Sequence, residues 1–364
     1  MQYTTLANKG VQTLSPYQAG KPIEELEREL GISNIVKLAS NENPFGFPES
    51  AKHAISTQLA DLTRYPDANG FYFKEVVAKK FGVAMDQITL GNGSNDLLEL
   101  IARTFASEDD EIIFSQYAFI VYPLVAQAIN AKSVVVPAND FGHDLEGFLA
   151  AITEKTKLIY LANPNNPTGT FLSHQQITDF LAKVPEHVIV VLDEAYTEFT
   201  DPDKRVDSFK LLQIHPNLVI CRTLSKAYGL AGLRIGYAVS QPEIADLFNR
   251  VRQPFNCNSL ALAAAVAVLQ DDEFIQKVAE NNRLEMARYE QFFQQNGLDY
   301  IQSKGNFITV DLNQPAAPIY QKLLEQGVIV RPIGVYGMPN HLRISIGLPE
   351  ENDRFFAALV KVLK

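Results

Sequence analysis

The chain has 364 residues, 46% hydrophobic and 20% charged, with a formal net charge of −10. At roughly 150 residues per domain this length predicts two domains, and the acidic balance argues against nucleic acid or an anionic membrane as partner, since clustered Lys and Arg bind both. Two cysteines, Cys221 and Cys257, lie outside any CxxC and predict no disulfide framework, which fits a reducing, cytoplasmic setting.

The six histidines never fall at i, i+4, so no HExxH-type metal site is expected. The N-terminus lacks the apolar core of a signal peptide. The longest apolar run, residues 260–269, is about half of what a membrane span needs. Residues 1–20 show no periodicity and read as an arm. Ile23, Leu26 and Leu30 share one helical face, and Gly31 ends that helix. Ser40-Asn41-Glu42-Asn43-Pro44-Phe45-Gly46 is an irregular, polar stretch before a helix at 48–59. Arg64-Tyr65-Pro66-Asp67 forms a turn closed by Asn69-Gly70, and 71–81 is helical by spacing. A strand at 87–90 then leads through Gly91-Asn92-Gly93-Ser94-Asn95 into a helix at 96–105. Strand, glycines and helix N-terminus together make an anion cradle, because free N–H groups and the helix dipole converge there. A plain N-cap by Ser94 or Asn95 is the alternative.

From here strands at 111–114, 133–136, 157–161, 188–192 and 218–221 alternate with helices at 118–129, 144–152 and 173–183. This pattern predicts an α/β fold: a large domain with a mostly parallel sheet covered by helices on both faces. Ligands of such sheets sit beyond the carboxyl ends of the strands. The polar clusters at 91–95, Tyr117, 163–169, 193–196 and 223–226 all fall there. After residue 250, helices at 259–269, 273–296, 318–326 and 350–363 alternate with short strands at 306–310, 328–330 and 341–346. The expected division is an arm and helix over 1–36, a large domain over 37–250 and a smaller α+β domain over 251–364.

Asp193 follows a wholly apolar strand, so its carboxylate enters the interior and needs a partner. A protonated ring nitrogen would be one, and Tyr196 could reach the same ring; a capping Asp is the plainer alternative. In Asn163-Pro164-Asn165-Asn166-Pro167-Thr168-Gly169 the prolines fix an extended loop and leave amides at the strand end. The stretch CRTLSKAYGLAGLRIGYAV places Thr223, Ser225, Lys226 and Arg234 on one loop system. Two hydroxyls, an amine and a guanidinium suit an anionic phosphate and a carbonyl captured as an imine. Lysine reacts this way only as the neutral amine, so burial or a nearby cation must lower its pKa. Arg343 lies in an apolar strand, where an unpaired guanidinium is costly, so an anion is its expected partner. Arg331 is either a second anion ligand or a solvated strand end.

NPNNPTG, DEAY and TLSKAYGLAGLRIGY, in this order, resemble the pyridoxal-phosphate aminotransferases of fold type I. SNENPFG and RYPD narrow the likeness to the histidinol-phosphate aminotransferases, from about Leu14 to the C-terminus. The resemblance implies that Lys226 forms the imine with the cofactor aldehyde and shuttles a proton, and that Asp193 pairs with the pyridine nitrogen. It implies that Asn166 and Tyr196 hydrogen-bond the ring hydroxyl oxygen and that Tyr117 stacks on the ring. Ser94, Asn95, Thr223, Ser225 and Arg234 would hold the cofactor phosphate, and Tyr65 would reach it from the other subunit of a homodimer. Arg343, Arg331, Tyr17 and Asn43 would form the substrate pocket. The implied reaction exchanges an amino group between L-histidinol phosphate and 2-oxoglutarate, in histidine biosynthesis. Two departures stand out: Asn95-Asp96 where many relatives have Asp-Glu, and Tyr117-Ala118 where Tyr-Gly is commoner. The same residues would also serve an aromatic amino-acid aminotransferase or a threonine-phosphate decarboxylase, and a non-catalytic binding module is the remaining alternative.

Overall fold

The computed structural model describes residues 3–364. A seven-stranded sheet runs in the order Ile88–Gly91, Gly236–Val239, Leu218–Thr223, Ile189–Asp193, Thr156–Ala162, Glu111–Ser115, Lys132–Val136. All its pairings are parallel except those of Gly236–Val239, which runs against both neighbours. Successive side chains of a strand point to opposite faces. Accordingly Ile159, Leu161, Val190, Leu192 and Ile220 enter one core, while Leu158, Tyr160, Val191, Val219 and Cys221 enter another. Both faces are covered by helices, which is why these strands read as unbroken apolar runs. The register aligns Ala162 with Asp193, Asp193 with Cys221, and Thr223 with Gly236, which also faces Gly91. The polar ends of the strands therefore collect along one edge.

The smaller unit is a four-stranded antiparallel sheet, ordered Arg331–Pro332, His341–Ser345, Phe307–Asp311, Tyr300–Ile301. Tyr289, Phe293, Ile308, Val310, Ile344 and Phe355 form its core.

Four features depart from the sequence expectation. The strand expected at 328–330 divides: Val328–Ile329 pairs in parallel with Val36–Lys37, and Arg331–Pro332 joins the four-stranded sheet. Helix Ser208–Ile214, strand Gly236–Val239 and helix Pro242–Val251 were not expected; the first two are too short to show a period, and a glycine interrupts the apolar signal of the strand. Helix Ser259–Leu269 packs on helices Glu49–Gln58 and Phe71–Phe81, giving Ala261, Ala264, Ala265 and Val268 to the core of the large unit. Its composition is apolar all round, so its sequence gave no clue to which neighbour it faces. Conversely, Val36 and Leu38 lie in the core of the smaller unit. The chain thus passes from one core to the other along helix Asp272–Gln295.

Behind the strand edge, Arg222 and Glu194 form a buried ion pair. Glu194 Oε2 accepts from Arg222 Nε at 2.9 Å, from its Nη2 at 2.8 Å, and from Ser208 Oγ at 3.0 Å. The guanidinium sits 5.1 and 4.7 Å from the ring centroids of Phe81 and Phe209. Removing one partner strands the other charge in the interior. We predict that Arg222→Met destabilises the protein by about 3–5 kcal/mol, and that adding Glu194→Leu recovers part of the loss. Denaturant titration of the three proteins checks this; a double variant no more stable than the single one contradicts it.

Candidate active site

Twelve of the fifteen residues singled out in the sequence line one cleft of about 250 Å³ at the carboxyl edge of the sheet. They are Tyr17, Ser94, Asn95, Asn166, Asp193, Tyr196, Thr223, Ser225, Lys226, Arg234, Arg331 and Arg343. Asn43, Tyr65 and Tyr117 are not part of its lining.

Asp193 ends its strand only 4% exposed. Its Oδ2 accepts the Tyr122 hydroxyl at 2.8 Å, whereas Oδ1 has no protein partner. Burial pushes the carboxyl pKa up to about 6, against the opposing pull of the Tyr122 hydrogen bond. A buried carboxylate oxygen lacking a donor, beside a cleft, fits a protonated ring nitrogen.

Of the amides in the NPNNPTG loop, two are engaged with backbone. Asn163 Nδ2 donates to Leu172 O at 3.0 Å and its Oδ1 accepts from Leu172 N at 2.7 Å. Asn165 Nδ2 donates to Tyr117 O at 2.9 Å. Only Asn166 reaches the cleft. Its Nδ2 donates to the Tyr196 hydroxyl at 3.2 Å, and Asn41 Nδ2 donates to the same oxygen at 3.0 Å. With two donors on its oxygen, that hydroxyl keeps its own proton to donate, and burial holds its pKa up at about 12.

Lys226 Nζ donates to Ser40 O at 2.9 Å. Burial, then the positive charge of Arg343, brings its pKa down to about 8. The neutral amine is therefore accessible near neutral pH, as the chemistry requires. Arg234 takes φ +56, and its Nη1 donates to Ser225 Oγ at 3.2 Å and to Ala231 O at 3.0 Å. Gly93 takes φ +83, and a Cβ there would come within 2.3 Å of Arg234 Nη2. The glycine thus lets the guanidinium lie against the N-terminus of helix Ser94–Phe105. Neither Ser94 nor Asn95 caps that helix: Gly93 holds the capping position, with no side-chain cap. The N–H groups of the first turn have no intrahelical partner and suit an anion.

Arg343 Nη1 donates to Asn166 Oδ1 at 2.6 Å and Nη2 to Ala39 O at 2.8 Å, while its Nε has no partner. Arg331 stands directly opposite it on the neighbouring strand, with its guanidinium 5.7 Å from the Tyr17 ring. Like charges directly opposite across a strand pair repel, so this pair calls for an anion of more than one charge.

Asn43 supports the site from outside, its Nδ2 donating to Ala227 O at 2.7 Å. The Tyr117 ring packs 5.7 Å from Phe141, and Phe119, two residues on, lines the cleft. Tyr65 is 82% exposed and stacks on Phe255. Sequence reasoning missed Ser40, Asn41, Phe119, Tyr122 and Tyr336. Ser40 and Asn41 carried a signal, both being inside the SNENPFG string; Phe119, Tyr122 and Tyr336 carried none.

The aminotransferase class I and II family matches residues 33–359. Across the full length of both proteins, the chain is 77% identical to a histidinol-phosphate aminotransferase of Haemophilus influenzae. It is 75% identical to one of Pasteurella multocida, again over 100% of each. The fold superimposes on the crystal structure of the Sinorhizobium meliloti histidinol-phosphate aminotransferase in complex with pyridoxal-5'-phosphate, with a TM-score of 0.89 and 31% identity, over 97% of this chain and 96% of that one.

The lowered pKa of Lys226 has two measurable consequences. In cofactor-free protein, labelling of this lysine by an amine-directed reagent should rise with a midpoint near pH 8, and Arg343→Met should move the midpoint upward by removing a repelling charge. A wild-type midpoint at the ordinary value of 10.5 contradicts the assignment. The unfolded chain binds more protons at this residue between pH 8 and 10.5, so its contribution to stability rises with pH across that window.

Proposed function

The chain belongs to the aminotransferase class I and II family, and we propose that it transfers an amino group between L-histidinol phosphate and 2-oxoglutarate, giving imidazole-acetol phosphate and L-glutamate. Its step lies in histidine biosynthesis. The observation that carries the reading is the meeting, in one cleft, of the Lys226 amine and the half-partnered Asp193 carboxylate beneath two opposed arginines.

The cofactor is pyridoxal 5'-phosphate, whose ring, when bound, accepts the electron pair left as the substrate Cα–H bond breaks. The donor set fits it. Asp193 Oδ1 would hold the ring nitrogen in its protonated form. Asn166 Nδ2 and the Tyr196 hydroxyl would hold the ring hydroxyl oxygen. Ser94, Asn95, Thr223, Ser225 and Arg234 would hold the phosphate, with Tyr117 beside the ring. Lys226 Nζ, in its neutral form, would take the proton from the substrate Cα and return it to the cofactor's former aldehyde carbon, on the other side of the amino nitrogen. Ser40 O keeps that nitrogen in place through its hydrogen bond. Arg343 and Arg331 bind the phosphate of one substrate and a carboxylate of the other, with Tyr17 and Asn43 shaping the pocket.

In this reading the protein is a cytoplasmic homodimer, and the exposed Tyr65 ring reaches the phosphate bound by the partner subunit. Among the described residues no helix is long and apolar enough to cross a membrane.

Lys226→Ala should still bind the cofactor yet fail to convert it to the pyridoxamine form when L-histidinol phosphate is added; full turnover, followed by absorbance, rejects the assignment. Arg343→Met should raise KM for L-histidinol phosphate by about 100-fold or more, since it unpairs a buried anion, and should change KM for unphosphorylated histidinol far less. Running phenylalanine and threonine phosphate alongside tests the aromatic and decarboxylase alternatives in the same assay.

A further inference from the structure

Two features lie outside the cleft and outside the reaction. Phe255 adopts φ +57, a left-handed conformation that bulky residues rarely take. Asp96 sets a carboxylate in the first turn of the helix whose N-terminus is to receive an anion. A chain of hydrogen bonds starts at Asp96 and spans the segment that holds Phe255. Asp96 Oδ2 accepts from the backbone N–H of Asn92 at 2.8 Å and from Asn256 Nδ2 at 2.9 Å. The same Nδ2 donates to Leu90 O at 3.1 Å. Asn256 Oδ1 accepts from Arg252 Nη1 at 2.7 Å. Arg252 Nη2 in turn donates to Ala68 O at 3.0 Å, within the turn that carries Tyr65. Phe255, between Arg252 and Asn256, stacks on Tyr65 at 4.7 Å and 22°.

The segment 252–256 therefore grips the glycine loop at 91–93 on one side and the Tyr65 turn on the other. Its strained residue is the one that meets Tyr65. The Asp96 carboxylate is occupied by Asn92 and Asn256, so it fastens the loop instead of competing for the N–H groups of Ser94 and Asn95.

We propose that Arg252, Asn256 and Asp96 are positioning residues for the cofactor phosphate. They fix the loop at 91–93 so that the N-terminus of helix Ser94–Phe105 converges on the anion, and the same segment anchors the Tyr65 turn through Arg252 Nη2 to Ala68 O. This rests on the reading that the cleft takes pyridoxal phosphate. Lys226 and Asp193 grip the other end of that molecule and touch none of the three residues, so the strut governs how much the phosphate group adds to binding.

The test compares affinities of the full-length, cofactor-depleted protein for pyridoxal phosphate and for pyridoxal, followed by visible absorbance. Asp96→Ala and Asn256→Ala should each lower the preference for the phosphorylated form about tenfold, as expected for losing a charge-assisted hydrogen bond. Asp96→Asn keeps an acceptor for Asn92 and should retain the preference to within about threefold. Arg252→Gln cuts the strut from a half-buried position, remote from the helix, and should act in the same direction if the other variants fail to fold. Equal losses for both ligands, the mark of a merely structural role, overturn the proposal, as does an unchanged preference. A wild-type protein with no preference for the phosphorylated form overturns the functional reading as well.

Discussion

A carboxylate at the end of an apolar strand, with one oxygen held by Tyr122 and the other by no protein group, is the constraint on which the cleft depends. Its displacement from 3.8 to about 6 corresponds to a penalty on the order of 3 kcal/mol for the charged form. Lys226 is shifted in the complementary sense, its ammonium disfavoured by burial and by Arg343. Each charged form is less comfortable in the cleft than in water, and both are relieved by one molecule that brings a cationic ring nitrogen to the acid and an aldehyde to the amine. The surrounding sheet sustains this because cores on both of its faces pack against the strands that end there.

The joint between the two units is made differently. Where the smaller sheet meets the NPNNPTG loop and the SNENPFG stretch, the links are polar: Arg343 to Asn166 and Ala39, Thr309 Oγ1 to Pro167 O at 2.7 Å, Asn306 Nδ2 to Asn41 O at 3.0 Å, and Ser345 Oγ to Asn41 Oδ1 at 3.1 Å. These bonds run through residues that also contact the ligand side. Asn41 and Asn166 share the Tyr196 hydroxyl while each is tied to the smaller unit. The Arg343 guanidinium and the Asn166 amide are therefore mechanically one object.

Much of this was legible in the residues. Continuous Val/Ile/Leu runs between amphipathic helices define a doubly covered sheet; Asp193 and Arg343 stood out because charge beside or within an apolar strand requires a reason, and Lys226 because it shares a glycine-rich loop with two hydroxyls and a guanidinium. What stayed hidden depends on distance through space. Tyr122 is one apolar-helix tyrosine among many until the fold brings its hydroxyl to Asp193. Asn163 and Asn165 look equivalent to Asn166 in the string, yet the loop turns them toward backbone. The opposition of Arg331 and Arg343 is a matter of strand register, and neither segment alone states it. Helix Ser259–Leu269, apolar on every side, carried no information about which core it would join.

The reversed strand Gly236–Val239 has a last consequence. Because it runs back along Leu218–Thr223, the segment between them leaves and re-enters the sheet at the same edge, with Thr223 and Gly236 paired at its base. Lys226 and Arg234 ride on this closed loop, and neither depends on the smaller unit for its anchorage. The loop is also pinned within itself by Leu224 N to Ile235 O at 3.1 Å and Leu230 N to Leu224 O at 2.9 Å. Its length is therefore a gauge: an insertion or deletion there would change the separation of amine and guanidinium directly. An exposed loop without such internal pins has slack to absorb an indel, and this segment has little.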